Sequence, residues 1–552
     1  GLGNTTRYVY DEFGNLIKVI NAKDEETRYI YDLAGNMTAQ IDGNGNITRY
    51  EYNARNLLVK RIDPGGANDE WKQESYTSYA NGLMQSKTDR NGKTTNYTYD
   101  IHGRLIREAI GNDSISYTYD ANGNVLTVTD STGTTTRTYD NEGRVLTKDV
   151  PGIGTVTFRY DIIEGVEEGC VKETSTDPKG NITEKIYDRA GRLWKVIADG
   201  ETTTYTYYDN GSRKSIEYPG GSKEVYEYYA NGLLKKLENY RVENGVPGLM
   251  DRYEYTYDAA NNQVSKTETI NGEEIGITTY AYDSLNRLEK VTEPSGRVTE
   301  YTYDRAGNRL SETVKANGTT VRTSYIYNEQ NRLMKTITES GSRRVTTIYT
   351  YDNNGNLVST KEEITDTAAG SESYDVSVVG VDSEGGTAFY EYDVWNRQIK
   401  AITKDNVAVY TYNGEGLRVS KTVNGVTTRY LYEYDKVILE TDGQGNETAR
   451  NVYGVNLISR ETGGEKLYYH YNGHGDVTAL LTADGEIRGT YYYDAFGNIL
   501  EVSGNADNPI RYAGYMYDEE TGLYYLNARY YDPKIARFLS EDTYRGTPDD
   551  PL

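Results

Sequence analysis

The sequence predicts an all-β protein built from tandem β-hairpins, and three observations predict it. One short phrase recurs along the chain, turn-forming residues bound its copies, and the segments between alternate with period two. The phrase is clearest at residues 301–310, Y-T-Y-D-R-A-G-N-R-L. It returns as Y-D-E-F-G-N-L at Tyr10, Y-D-I-H-G-R-L at Tyr99, Y-D-A-N-G-N-V at Tyr119, Y-D-R-A-G-R-L at Tyr187 and Y-D-N-N-G-N-L at Tyr351. The intervals Tyr10–Tyr31, Tyr99–Tyr119, Tyr119–Tyr139 and Tyr282–Tyr303 are 20 or 21 residues. Self-similarity at such a period fixes the architecture before any single motif is read.

Each unit carries two turns. The first is Asp-x-x-Gly after the tyrosine, as in Asp304 to Gly307. Asp at the first turn position bonds the backbone nearby, and Gly supplies a positive φ. In five units Asn fills the Gly slot: Asn56, Asn261, Asn286, Asn331 and Asn396. Asn is the other residue that tolerates the left-handed region, so the pattern predicts that geometry at each. The second turn comes half a repeat later, as D-G-N-G at 42–45, D-R-N-G at 89–92, D-P-K-G at 177–180 and E-P-S-G at 293–296. Between the turns, T-T-N-Y-T-Y (94–99), V-T-E-Y-T-Y (298–303) and T-S-Y-I-Y (323–327) have strand patterning. No segment holds a helical period with caps. One repeat is therefore a hairpin, and about 20 of them in tandem make a long antiparallel ribbon.

Composition supports a sheet with little aliphatic filling. The 552 residues include 57 Tyr but only 5 Phe, and 36% are hydrophobic. A chain of this length is too long for one solid core. Tyrosine suits a sheet packed on one side and wet on the other. The formal net charge of −24 speaks against nucleic acid or an anionic membrane as partner. The lone Cys170 permits no internal disulfide. There is no signal peptide and no apolar run near the ~18 residues of a membrane span. The chain opens in mid-repeat, and the expectation is that the native N-terminus lies upstream.

Insertions interrupt the rhythm at 64–73, 163–170 and 241–248, and the widest gap lies between Tyr351 and Tyr392. Residues 1–465 read as one repeat array and 466–552 as a distinct C-terminal unit. That unit contains Y-Y-H-Y-N-G-H-G-D-V-T-A-L-L (468–481), Y-Y-Y-D-A-F-G-N-I-L (491–500) and R-Y-A-G-Y-M-Y-D-E-E-T-G-L-Y-Y-L-N-A-R-Y-Y-D-P-K-I-A-R-F-L-S-E-D (511–542). The tandem units resemble YD repeats, also called RHS repeats. The stretch 468–542 is similar to the RHS-repeat-associated core, whose hallmark is E-T-G-L-x-Y…R-Y-Y-D-P-x-x-G-R-F-x-S-x-D-P. The resemblance covers essentially the whole chain.

What the resemblance implies is a ribbon spiralling into a hollow shell, or cocoon, closed at one end by the core. In the C-components of Tc toxins and in bacterial Rhs effectors, a variable toxin follows the core and is kept within the shell. The core of such proteins is an aspartate-dependent self-cleaving protease that cuts the cargo free. The partner implied here is thus the chain's own C-terminal toxin domain, with a secretion or delivery partner and a secreted or cell-surface location. No cofactor and no metal is implied.

The catalytic candidates are Asp532, Asp542, Asp550 and Arg537, with Leu552 as the cleavage point. Asp532, Arg537 and Asp542 occupy the family's motif positions. Two carboxylates brought together can share a proton, one acting as base while the other donates. Arg537 can hold one ionised or orient the chain. A purely structural role, with Asp532 and Asp542 capping turns as every repeat Asp does, stands beside this one. Two residues depart from the family pattern: Ala536 stands where Gly is usual, and Thr543 where Pro is usual. Asp549 and Asp550 lie close to Leu552, and an end at D-D-P-L is where a cut leaves the shell; an artificial boundary gives the same end.

His470 and His474 have metal-ligand spacing only on a helix, and Asn472-Gly473 between them reads as a turn. D-G-N-G-N-I at 42–47 lacks the glycine and glutamate that a calcium loop needs. No phosphate loop, no Gly-x-Ser-x-Gly and no Cys/His cluster occurs. A second function, from a different class, is a cell-surface carbohydrate-binding or adhesion protein, because exposed Tyr rings stack on sugars. A third is an inert scaffold plugged by its core.

Overall fold

The computed structural model describes residues 2–65, 72–164, 169–366 and 386–542. Forty-four strands form one sheet, from Arg7–Tyr10 to Ile499–Gly504. Each strand pairs antiparallel with its neighbours in the chain. Among the described residues there is no α-helix, and the first strand does not pair with the last, so the sheet is not a closed barrel. A second sheet of four short strands follows: Met516–Asp518, Leu523–Tyr525, Tyr530–Asp532 and Arg537–Phe538. The large sheet runs without a break through residue 466, and the change of sheet comes between Gly504 and Met516.

The turn chemistry is local. Asp304 Oδ1 accepts the backbone N–H groups of Ala306 at 3.0 Å and Asn308 at 2.8 Å, and Oδ2 accepts Asn308 Nδ2 at 2.9 Å. The Gly307 N–H donates to the Asp304 carbonyl at 3.2 Å, with Gly307 at φ +91°. The five predicted asparagines, Asn56, Asn261, Asn286, Asn331 and Asn396, all have positive φ, between 58° and 68°. Four of them also do something that glycine cannot. Asn56, Asn286, Asn331 and Asn396 each accept, through Oδ1, a hydrogen bond from the side chain of an Asn in the equivalent turn of the preceding repeat.

Tyrosine outnumbers phenylalanine for a specific reason. Leu288 lies opposite Tyr282 beside its own turn, beyond Lys290↔Glu300, the last pair it shares with the following strand. Its carbonyl therefore falls outside that ladder, and the Tyr303 hydroxyl donates to it at 2.6 Å. The same bond joins Tyr31 to Leu16, Tyr119 to Leu105, Tyr207 to Leu193 and Tyr471 to Leu457. In these repeats the tyrosine thus satisfies a carbonyl of the repeat before it, which a phenyl ring would leave unpaired.

Contacts between distant residues give the pitch of the coil. Lys23 pairs with Asp283 at 2.8 Å, Asn44 Nδ2 bonds Asp304 at 2.9 Å and Lys185 pairs with Glu433 at 2.8 Å. Tyr218 donates to the Tyr469 carbonyl at 3.0 Å and Asn239 to that of Tyr471 at 2.9 Å. Partners of this kind are 218 to 289 residues apart, so the ribbon makes about two turns and each turn abuts the next. Glycine permits the closest approach: a Cβ at Gly43 would collide with the Arg305 carbonyl, and one at Gly414 with Ile115 and Val128. The small sheet packs on the second turn, where Ile510, Met516, Leu523, Tyr525, Tyr530 and Leu539 join wall residues such as Tyr410, Tyr432, Leu457 and Tyr493 in one apolar cluster.

Candidate functional site

Asp532 ends the strand Tyr530–Asp532 and faces Arg537 across a tight turn. Its Oδ1 accepts the Lys534 N–H at 2.9 Å. Burial raises its proton affinity above that of an ordinary aspartate, against the opposing charge of Lys534. The wall tyrosines Tyr349 and Tyr390, both buried, are close enough for the Asp532 charge to raise their own pKa values further, beyond the larger effect of burial. The turn needs a left-handed residue, and Ala536 supplies it at φ +52°. The departure from glycine therefore leaves the geometry intact at a cost of about 1 kcal/mol in backbone strain. Pro533 is buried and its carbonyl accepts Asn498 Nδ2 at 3.0 Å, which fixes the turn to the wall.

Arg537 is the cross-strand partner of Asp532 in the backbone only. Its guanidinium donates to the Asn331 carbonyl at 2.9 Å and to Asn308 Oδ1 at 3.4 Å, and it lies over the Tyr327 ring at 5.2 Å. It orients the hairpin against the wall. Asp542 is half exposed and ion-paired to Arg529 at 2.8 Å. Asp550 and the cleavage point Leu552 lie outside the described residues, as do Asp549 and Thr543.

His470 is fully buried, 3.8 Å from Glu224, and burial pushes it down to about 3, so it is neutral. Its ring lies against that of Tyr218 in a tilted contact, with centroids 4.8 Å apart. The side chain of His474 is bonded to Asp476 at 2.8 Å, which raises its pKa. His470 lies in the strand Glu465–Tyr471 and His474 in the turn that follows it, and no group of three or more metal-ligating side chains occurs among the described residues.

Two acidic residues near the site escaped the sequence reading. Asp518 is fully buried and bonds Arg418, also fully buried, through both oxygens at 2.5 and 3.0 Å. Lys421 adds a third contact at 3.0 Å. Burial alone would raise Asp518; Arg418 and Lys421 outweigh it and hold the carboxyl below the usual range. Arg418 is enclosed by the rings of Tyr410, Tyr430, Tyr525 and Tyr530. This network bolts the small sheet to the wall. The second residue, Glu541, is ion-paired to Arg90 and Arg332. Asp518 precedes E-T-G-L-Y-Y in sequence, but nothing local identifies a partner 100 residues away.

A family model described as Teneurin YD-shell matches residues 77–162 and 249–549, more than half of the chain. The chain belongs to the teneurin YD-shell family. A second model, RHS Repeat, matches residues 10–47 and 31–67. Over 282 residues the chain is 35% identical to the tRNA3(Ser)-specific nuclease WapA of Bacillus spizizenii and 40% identical to the tRNA(Glu)-specific nuclease WapA of Bacillus subtilis subsp. natto. Each match takes in 49% of this chain and 11% of the relative. The crystal structure of TcdB2-TccC3-Cdc42 superposes with a TM-score of 0.61 at 18% identity, over 98% of this chain and 33% of that one. The YD shell described here thus shares its fold with the shell of a Tc toxin and corresponds to a minor part of the length of these larger proteins. Among its described residues, no helix is long and apolar enough to cross a membrane.

Proposed function

We propose that this YD shell encloses the polypeptide that follows its core, a toxin domain, and frees it by self-cleavage near Leu552. The observation that carries the reading is Asp532: a carboxylic acid of raised proton affinity, set in a turn fixed to the shell wall and close in sequence to the outgoing chain. An acid of that kind suits the first step of peptide hydrolysis. In that step the ionised Asp532 takes a proton from a water as its oxygen adds to the peptide carbonyl; a second carboxyl group then gives its proton to the departing nitrogen as the C–N bond breaks, leaving a carboxyl end and an amine. The second acid comes from Asp542 or Asp550. Arg537 serves by holding the hairpin rather than by touching the carboxylate. Secretion and bacterial competition follow from the same reading, since a cargo of this kind acts outside the cell that makes it.

The test is the chain expressed with its natural continuation and run on a denaturing gel. Wild type should split at Leu552 with no protease added, and Asp532→Asn should stay whole and soluble. A wild-type precursor that never splits rejects the self-cleavage, and an Asp532→Asn precursor cut at the wild-type rate removes Asp532 from it.

A further inference from the structure

Near the end of the described residues, three parts of the molecule meet at one carboxylate. Glu541 comes just before Asp542, and its carboxylate meets two arginines from different turns of the coil. Arg90 bonds it at 2.7 and 3.2 Å, and Arg332 at 2.8 and 3.2 Å. Both arginines are themselves fixed. Arg90 also bonds Asp63 at 2.7 Å and the Asn354 carbonyl at 2.8 Å, and Arg332 the Asn353 carbonyl at 3.0 Å. The Arg90 side chain is 1% exposed and that of Glu541 29%. Gly355 leaves the space, since a Cβ there would collide with the Glu541 carboxylate. Charge-assisted bonds from two guanidinium groups, one of them out of solvent, hold a side chain more firmly than the exposed ion pairs elsewhere on this surface.

We propose that Glu541 is a positioning residue: it pins the outgoing chain at the seam between the two turns of the shell, so that the peptide bond to be cut is presented to the Asp532 hairpin from one fixed origin. The presentation rests on the self-cleavage reading; the pinning does not. Upstream, the Leu539 carbonyl accepts the Leu357 N–H at 2.9 Å and Arg537 bonds Asn331. Glu541 follows these ties to the wall, and Asp542 after it pairs with Arg529.

The experiment uses the precursor with its natural continuation, as wild type, Glu541→Ala and Glu541→Gln. Cutting is timed across pH, unfolding is followed by heat, and amide exchange of residues 537–542 is measured in an uncut Asp532→Asn background. Glu541→Ala should cut at least tenfold more slowly at every pH, with the midpoint of the pH profile unmoved, because the acid itself is unchanged. Glu541→Gln, which keeps an acceptor and loses the charge, should fall between. Exchange at 537–542 should quicken at least tenfold in Glu541→Ala while the shell still melts cooperatively. If the alanine variant does not fold, the glutamine variant decides by the same readings. Cutting at the wild-type rate by a folded Glu541→Ala precursor overturns the proposal. If wild type is never cut, the cleavage reading fails separately and exchange alone decides: quickened exchange upholds the pinning, and unchanged exchange overturns it.

Discussion

Asn308 donates through Nδ2 to Asn331 Oδ1 at 2.8 Å, so the residue in a glycine slot is bonded to the equivalent turn of the preceding repeat. Asn331→Gly keeps the left-handed backbone and loses both this bond and the one from Asn331 Nδ2 to Asp42 at 3.2 Å, which together should cost about 1–2 kcal/mol. Asn331→Ala loses both bonds and adds strain at φ +58°, for roughly 2–4 kcal/mol in all. Denaturant unfolding should rank wild type above Asn331→Gly above Asn331→Ala. Equal stability of the glycine variant and wild type would show that neither bond contributes.

Tyr303→Phe removes one hydroxyl and leaves the Leu288 carbonyl, otherwise bonded at 2.6 Å, without its donor. The expected loss is about 1 kcal/mol, with amide exchange quickening at the neighbouring hairpins and not across the shell. A uniform change throughout the coil would argue against a local role.

Gly43→Ala places a methyl group against the Arg305 carbonyl of the next turn of the ribbon. It should destabilise by about 1–3 kcal/mol and expose the amides of the 304–308 turn to exchange. Gly45→Ala is the control. It is strained by φ +91° but meets no neighbour, so it should leave that distant turn protected. If both variants leave it protected, the two turns of the coil do not abut there.

Asp532 is a group whose folded pKa is raised, so its charge opposes folding. The cost is absent below the unfolded value of 3.8 and grows as pH rises through the raised folded value. Asp532→Asn keeps an acceptor for the Lys534 N–H and removes the charge. The variant should match wild type in stability at pH 3 and exceed it at pH 7 in thermal unfolding. A variant less stable than wild type at pH 7 would mean that the carboxylate is stabilised in place.

The turns were legible because their chemistry is contained within five residues. Asp304, Gly307 and Asn308 specify one another, and the positive φ at each of the five asparagines follows from the same logic. The second reason for those asparagines was not legible, since their donors sit in the preceding repeat. Resemblance supplied the coil as an expectation, but its seams are contacts such as Lys23 with Asp283 and Arg90 with Glu541, whose partners have no local signature. At the site, motif position singled out Asp532 and Arg537, but backbone pairing did not disclose where the guanidinium points. It could not disclose that Asp542 takes Arg529 as partner either.

Enclosure is the central claim, and protection of the cut cargo tests it most directly. The precursor with its natural continuation is allowed to split, passed over a sizing column without denaturant, and treated with an added protease. The account predicts that the C-terminal fragment elutes with the shell and survives digestion until the shell is unfolded. A fragment that elutes by itself, or is digested at the rate of the isolated domain, would contradict it.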